Sequence, residues 1–217
     1  MKKITTLLAA SALAITTFAY AQEGGYIIHN QESDKNVSLE NVIGSPYYNA
    51  EFSPAIIGDS QTESLVRYNA FLDVVEVSEN NSVHELPKTK ENSIIKLKKS
   101  SETLTLVQYS GEYDGYYILL ADGKNQLLKK IKIRLFTEKS TITPDSQTKP
   151  GQTKYDRQKP AYFIKTETQI INIPKNAKDL AFYFPEHKDD LNNFIKTNKI
   201  KLNKEEDLIK LVQFLNQ

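Results

Sequence analysis

The feature that most limits what this chain can fold into is an alternation of period two that dominates from about residue 37 to residue 136. Strand side chains point to opposite faces in turn, so the pattern suits a sheet with one covered face and does not suit a helix. In "QLLKKIKIRLF", Leu128, Lys130, Lys132 and Arg134 stand opposite Lys129, Ile131, Ile133 and Leu135, and the second set is apolar apart from its first member. Just upstream, "GYYILLADGKNQLL" sets Asp122-Gly123 between two such runs, where a glycine free to take positive φ suits a tight hairpin turn. Val37–Val42, Leu65–Asn69, Leu72–Val77, Ile94–Lys98, Thr103–Tyr109, Ala161–Lys165 and Gln169–Ile173 are further strand candidates. Short runs parted by turns rich in Asn, Ser, Gly and Asp predict an antiparallel sheet or roll.

The texture changes between residues 137 and 160. "TEKSTITPDSQTKPGQTKYDRQK" has two prolines, one glycine and Ile142 as its only aliphatic residue, which reads as a long mobile loop or linker. A hairpin, "AYFIKTETQIINI", follows it, and the chain then turns helical. Pro185 suits a first helical turn, where its missing donor costs nothing, and Leu191, Phe194 and Ile195 form one apolar face. In "NKEEDLIKLVQFLNQ", Asn203 and Glu206 resemble a capping box, and Leu208, Leu211, Val212 and Leu215 recur at helical spacing. That stripe must dock on the sheet, on the preceding helix or on a partner; docking within the chain is the expectation, and an interface is the alternative. The expected fold is therefore α+β: a β-rich region over 22–136, a loop or linker over 137–160, and over 161–217 a β-hairpin with two or three short C-terminal helices packed on the same domain.

The first residues predict export. "MKK" supplies a basic start, "ITTLLAASALAITTF" an apolar run too short and too rich in threonine to span a membrane, and Ala19-Tyr20-Ala21 a small-x-small cleavage site. Residues 1–21 read as a signal peptide, and the mature form as lying in the periplasm or at the outer membrane, not spanning it. The chain has 28 basic and 27 acidic residues, and loss of Lys2 and Lys3 takes it just below neutrality. Such a balance gives no electrostatic case for nucleic acid. The absence of cysteine removes thiol nucleophiles and cysteine metal sites.

No pattern in the chain selects a chemistry. His29, His84 and His187 lack metal-ligand spacing, there is no G-x-S-x-G elbow, and the eight glycines are scattered and form no phosphate loop. Carboxylates are plentiful, but no spacing singles out a hydrolytic pair. The basic stripe "LKKIKIRL" reads as a charged solvent face, since it lacks interleaved aromatics. The expected catalytic, metal and cofactor sets are thus all empty.

The most individual stretches are "GSPYYNAEF" and, about twenty residues later, "VRYNAFLDVVEV". With the ending "FPEHKDDLNNFIKTNKIKLNKEEDLIKLVQFLN" they resemble an uncharacterised family of exported Bacteroidetes/Flavobacteriia proteins, which pair a G-[ST]-P-Y-x-N-x-x-F segment with an L-R-Y-N-x-x-x-D-x-x-E segment, a β-rich middle and a helical tail. Gly44, Ser45, Pro46, Tyr47, Asn49 and Phe52 match the first motif; Arg67, Tyr68, Asn69, Asp73 and Glu76 match the second, with Val66 in place of the usual leucine. The resemblance implies export and no particular activity. Physically, the motif reads as a framework: Gly44-Ser45-Pro46 turns the chain, Asn49 bonds its own backbone, and Arg67 pairs with Asp73 across a hairpin. The expected function is a non-enzymatic cell-envelope protein acting as an accessory or interaction subunit for an envelope partner. A carrier for an apolar or glycan ligand is the alternative, and a carboxylate-based hydrolase comes last.

Overall fold

The computed structural model describes residues 42–109, 111–142, 148–149 and 151–217. The expected signal peptide, all but the last residue of the expected Val37–Val42 strand and the middle of the expected linker lie outside the described residues. Fourteen strands follow in chain order among those described: β1 (Ser53–Ile57), β2 (Ser64–Asn69), β3 (Val74–Glu79), β4 (Ser82–Glu85), β5 (Ile94–Leu97), β6 (Thr103–Val107), β7 (Gly115–Ala121), β8 (Gln126–Lys130), β9 (Ile133–Thr137), β10 (Thr141–Ile142), β11 (Thr148–Lys149), β12 (Thr153–Arg157), β13 (Ala161–Lys165) and β14 (Ile170–Asn172). Three helices close the chain: α1 (Ala177–Phe182), α2 (Lys188–Thr197) and α3 (Glu205–Leu215). The class is α+β, as the alternation and the helical tail predict.

Ten of the strands form one sheet in the order β14-β13-β8-β7-β6-β5-β1-β2-β3-β4, and every neighbouring pair runs antiparallel. Asp122-Gly123 makes the β7–β8 turn, with Gly123 at φ 147°. The strands of "QLLKKIKIRLF", however, belong to two sheets. β8 stays in the large sheet, the chain breaks at Ile131-Lys132, and β9 leaves to pair with β12 from Ile133↔Arg157 to Thr137↔Thr153. The supposed one-faced alternation fails on β8 because both faces of the sheet are covered there, so the adjacent Leu127 and Leu128 are both fully buried.

The linker expected over 137–160 is therefore a correction. Its last third is β12, the return arm of a ribbon. Apolar scarcity misled because such a ribbon needs only one apolar face. Ile133 and Tyr155 supply it, and with Ile131 just before β9 they pack with Tyr68, Tyr116 and Ile118 of the large sheet. Tyr155 also meets Phe71 edge-on at 5.3 Å.

The helices cover the other end of the sheet. Leu208, Leu211 and Val212 are fully buried, and Leu215 nearly so, against Leu127, Ile164 and Ile171 of the strands and Leu191 and Ile195 of α2. Phe194 stacks on Phe214 at 4.2 Å. The stripe thus docks within the chain and offers no interface. The start of α3 needs a second correction: its N-cap is Lys204, without a side-chain bond, so Asn203 is not the cap. Asp207, in the first turn of α3, instead accepts the Lys201 amide at 3.0 Å and ties down the preceding loop. Side-chain capping does occur at α1, where Asn176 accepts the Asp179 amide at 2.9 Å.

Candidate functional site

The motif residues come together in space, in two layers on opposite faces of the sheet. Arg67 and Tyr68 are adjacent on β2, so their side chains point opposite ways. Arg67 faces its cross-strand partner Glu76, with Nε 2.8 Å and a terminal nitrogen 2.7 Å from Oε2. Its guanidinium lies 3.8 Å from the centre of the Tyr47 ring and 4.4 Å from that of Phe52, a cation held between two π-faces. The Tyr47 hydroxyl donates to the other Glu76 oxygen at 3.3 Å.

On the far face, Tyr68 donates to Asp73 Oδ1 at 2.6 Å and Lys130 donates to the same oxygen at 2.8 Å. The Tyr116 amide reaches this carboxylate at 3.2 Å, and Lys88 approaches it at 3.5 Å. Arg67 and Asp73, expected to pair, are partners of different groups. The reason is the backbone: Asp73 sits at φ 58° in the turn before β3, which carries its carboxylate over Gly115 toward β8. A Cβ on Gly115 would lie 1.9 Å from Asp73 Oδ2 and 2.7 Å from Lys130 Nζ, so a side chain there has no room. Burial and the Asp73 charge push the Tyr68 hydroxyl pKa well up and that of Tyr116 up to about 12. Burial pulls Lys130 down, opposed by its Asp73 partner.

The remaining motif residues shape the turns. Asn69 Oδ1 accepts the amides of Phe71 (3.2 Å) and Leu72 (3.0 Å), and the Pro46 carbonyl also accepts the Phe71 amide. Gly44 takes φ 89° beside the Tyr155 carbonyl. The first turn is held by Ser45 Oγ, which accepts the Tyr47 amide at 3.2 Å; Asn49, expected to hold it, lies exposed. Sequence reasoning missed the partners of this assembly. Lys130 and Lys129 read as a solvent stripe, yet Lys130 pairs with Asp73 and Lys129 with Glu205 at 2.8 Å. Of the tyrosine-rich "YSGEYDGYY", Tyr116 and Tyr117 are core residues and Tyr109 remains exposed.

Charged groups in these layers have partners inside the protein. A different situation holds at the open groove between the β13–β14 hairpin, α1, α2 and the loop before α3, which has a volume of about 1010 Å³. That is roughly twice the clefts beside Gly58 and beside Asn49. Tyr162, Ile173, Ala177, Ile195, Ile200 and Leu202 give it an apolar floor. Lys159, Lys175 and Lys201 stand exposed around it, and no aspartate or glutamate lines it. Glu205 is the acid bonded to the floor, accepting from the Tyr162 hydroxyl at 3.0 Å, and Lys129 already balances it. Burial, and then that bond, raise the Tyr162 pKa to about 12. No sequence pattern announced the groove, because its lysines flank three separate elements.

Among the described residues no group of three or more His, Asp or Glu side chains is placed to hold a metal ion. No described helix is long and apolar enough to cross a membrane. No family model matches the chain, and comparison with curated proteins and with solved structures returns no match.

Proposed function

We propose that this is an exported, non-enzymatic cell-envelope protein that works by binding, with the groove beside α1 and α2 as its binding site. One observation carries the reading: among the described residues the groove brings a sizeable apolar surface together with lysines that have no ion-pair partner, while the ions of the motif layers are neutralised within the chain. Small-molecule sites are typically concave, mostly apolar and equipped with a few polar groups. The absence of carboxylates from its lining weighs against a carboxylate-based hydrolase at this groove. Membership of the exported Bacteroidetes/Flavobacteriia family that the motifs resemble is part of the same proposal, and the motif itself acts as a framework.

The test is to isolate the exported protein from its own envelope and weigh it by native mass spectrometry. A bound species is expected, and Ala177→Trp, which plugs the groove from the start of α1, should remove it without lowering the melting temperature. Recovery of an empty protein from both forms would refute the reading. A second reading, an accessory subunit docking on a protein partner, is favoured by Phe182 and Tyr183. Phe182 is 81% exposed and meets Tyr183 edge-on at 6.2 Å, which puts two rings at the end of α1 where a partner could cover them. Loss of a co-purifying partner in Phe182→Ser, with the groove occupant retained, would select it.

A further inference from the structure

We propose that the groove takes an anionic amphiphile, a single acyl chain ending in a negatively charged head. The inference rests on the groove being a binding site and adds the chemical class of its occupant. The floor is formed by side chains that offer no charge and little hydrogen bonding, which suits a hydrocarbon chain. Three cations stand on its rim: Lys159 precedes β13, Lys175 follows β14 and Lys201 precedes α3, so they approach from different elements. None of them has an ion-pair partner among the described residues, although the chain as a whole has nearly as many acids as bases. The turn that carries Lys201 adds Lys199 and Lys204 in sequence; of the acids that open α3, Glu205 is paired with Lys129, Asp207 accepts the Lys201 amide, and Glu206 is exposed.

A local excess of one sign in a balanced chain raises the concentration of the opposite charge at that spot. Exposed lysines act here as hydrated point charges that do not fix a geometry, so a carboxylate, sulfate or phosphate head is accepted alike. An acidic peptide shares the charge but needs backbone partners as well, and the apolar floor supplies few. A glycan needs many hydrogen-bonding side chains; the lining offers the amides of Asn172 and Asn203, and the Tyr162 hydroxyl is already given to Glu205.

The decisive experiment is calorimetric titration of the purified chain below the micellar range. Dodecanoate and dodecyl phosphate should bind with saturation, weaken with added salt, and exceed dodecyltrimethylammonium of the same chain length by at least about tenfold. Lys159→Glu/Lys175→Glu/Lys201→Glu should lose about tenfold or more for dodecanoate while its unfolding midpoint stays put, and the corresponding triple Gln variant should fall between. Equal affinity for the cationic and anionic amphiphiles, an unaffected triple variant, or no saturable dodecanoate binding would each overturn the proposal. A Glu/Leu octapeptide is the control: if it binds, Ala177→Trp blocks it and dodecanoate does not bind, the acyl assignment falls and the binding reading stands. If neither ligand binds and the native protein is also empty, both fall.

Discussion

Replacing Asp73 by alanine removes the centre of the polar layer beneath the ribbon, and the structure sets the scale of the loss. Lys130 keeps only 15% of its side chain exposed, and its ammonium has Asp73 and the Tyr116 carbonyl as partners. The truncation leaves that charge without a counter-ion and the Tyr116 amide without its carboxylate acceptor, and leaves the Tyr68 hydroxyl only the Tyr116 carbonyl at 3.5 Å. Breaking a buried pair by deleting one partner costs about 3–5 kcal/mol. Asp73 itself retains 24% exposure, so water recovers part of the loss and about 3 kcal/mol is expected. That is a large share of the ~5–15 kcal/mol by which domains are usually stable. Asp73→Asn is the informative control: asparagine tolerates the positive φ and keeps an acceptor, so only the charge is lost and about 1–2 kcal/mol should go. The chain has no tryptophan, so urea unfolding is followed by circular dichroism or tyrosine emission. In the double variant Asp73→Asn/Lys130→Met the two losses should fall short of their sum, because the stranded ammonium is gone. Additive losses, or an Asp73→Ala cost below about 1 kcal/mol, would refute the claim that this pair holds the turn to β8.

Three further outcomes are expected. Arg67→Lys should lower stability by about 1–2 kcal/mol in the same assay, since an ammonium cannot lie flat between the Tyr47 and Phe52 rings. Leu211→Ala should cost about 2–5 kcal/mol, toward the upper part of that range because Leu211 is fully buried between sheet and helix. In alkali, Tyr116 and Tyr117 titrate near 12 in the folded protein against 10.0 when unfolded, and Tyr68 higher still. Their folded pKa values are raised, so their stabilising contribution is complete below pH 10 and is lost as pH climbs to 12, at roughly 1.4 kcal/mol per pH unit for each buried ring. Lys130, which burial lowers, has the opposite sign below 10.5, so the fall is read above that value by urea midpoints.

Legibility in the sequence followed the locality of the interactions. The β7–β8 hairpin carried its own turn, and the helices α2 and α3 carried their own stripes, so periodicity found them. β1 ("SPAII") and β12 ("TKYDR") have no period to read, since their stability comes from strands distant along the chain. Asp73 and Lys130 stand far apart in sequence, and nothing local to either distinguishes this pair from any other acid and base. Arg67 could be singled out by its motif, but its true partner depended on which residue of the hairpin faces it. That is a matter of register, and β3 begins two residues later than the apolar run suggested. The groove was harder still, because an unpaired lysine looks the same in sequence as a paired one.

The order of strands carries a consequence for assembly. β2, β3 and β4 extend the sheet on one side of β1, and β5 through β8 then extend it on the other, so each strand up to Lys130 joins an edge that already exists. The chain next departs to build the ribbon, and β13 returns to β8 only at Ala161. Until then a growing polypeptide holds an eight-stranded sheet whose last edge, with Leu127 and Leu128, has neither a neighbouring strand nor helices over it. Such an edge invites pairing with another chain. The last quarter of the sequence therefore acts as a stopper, and the interval before its arrival is when this protein is most exposed to self-association.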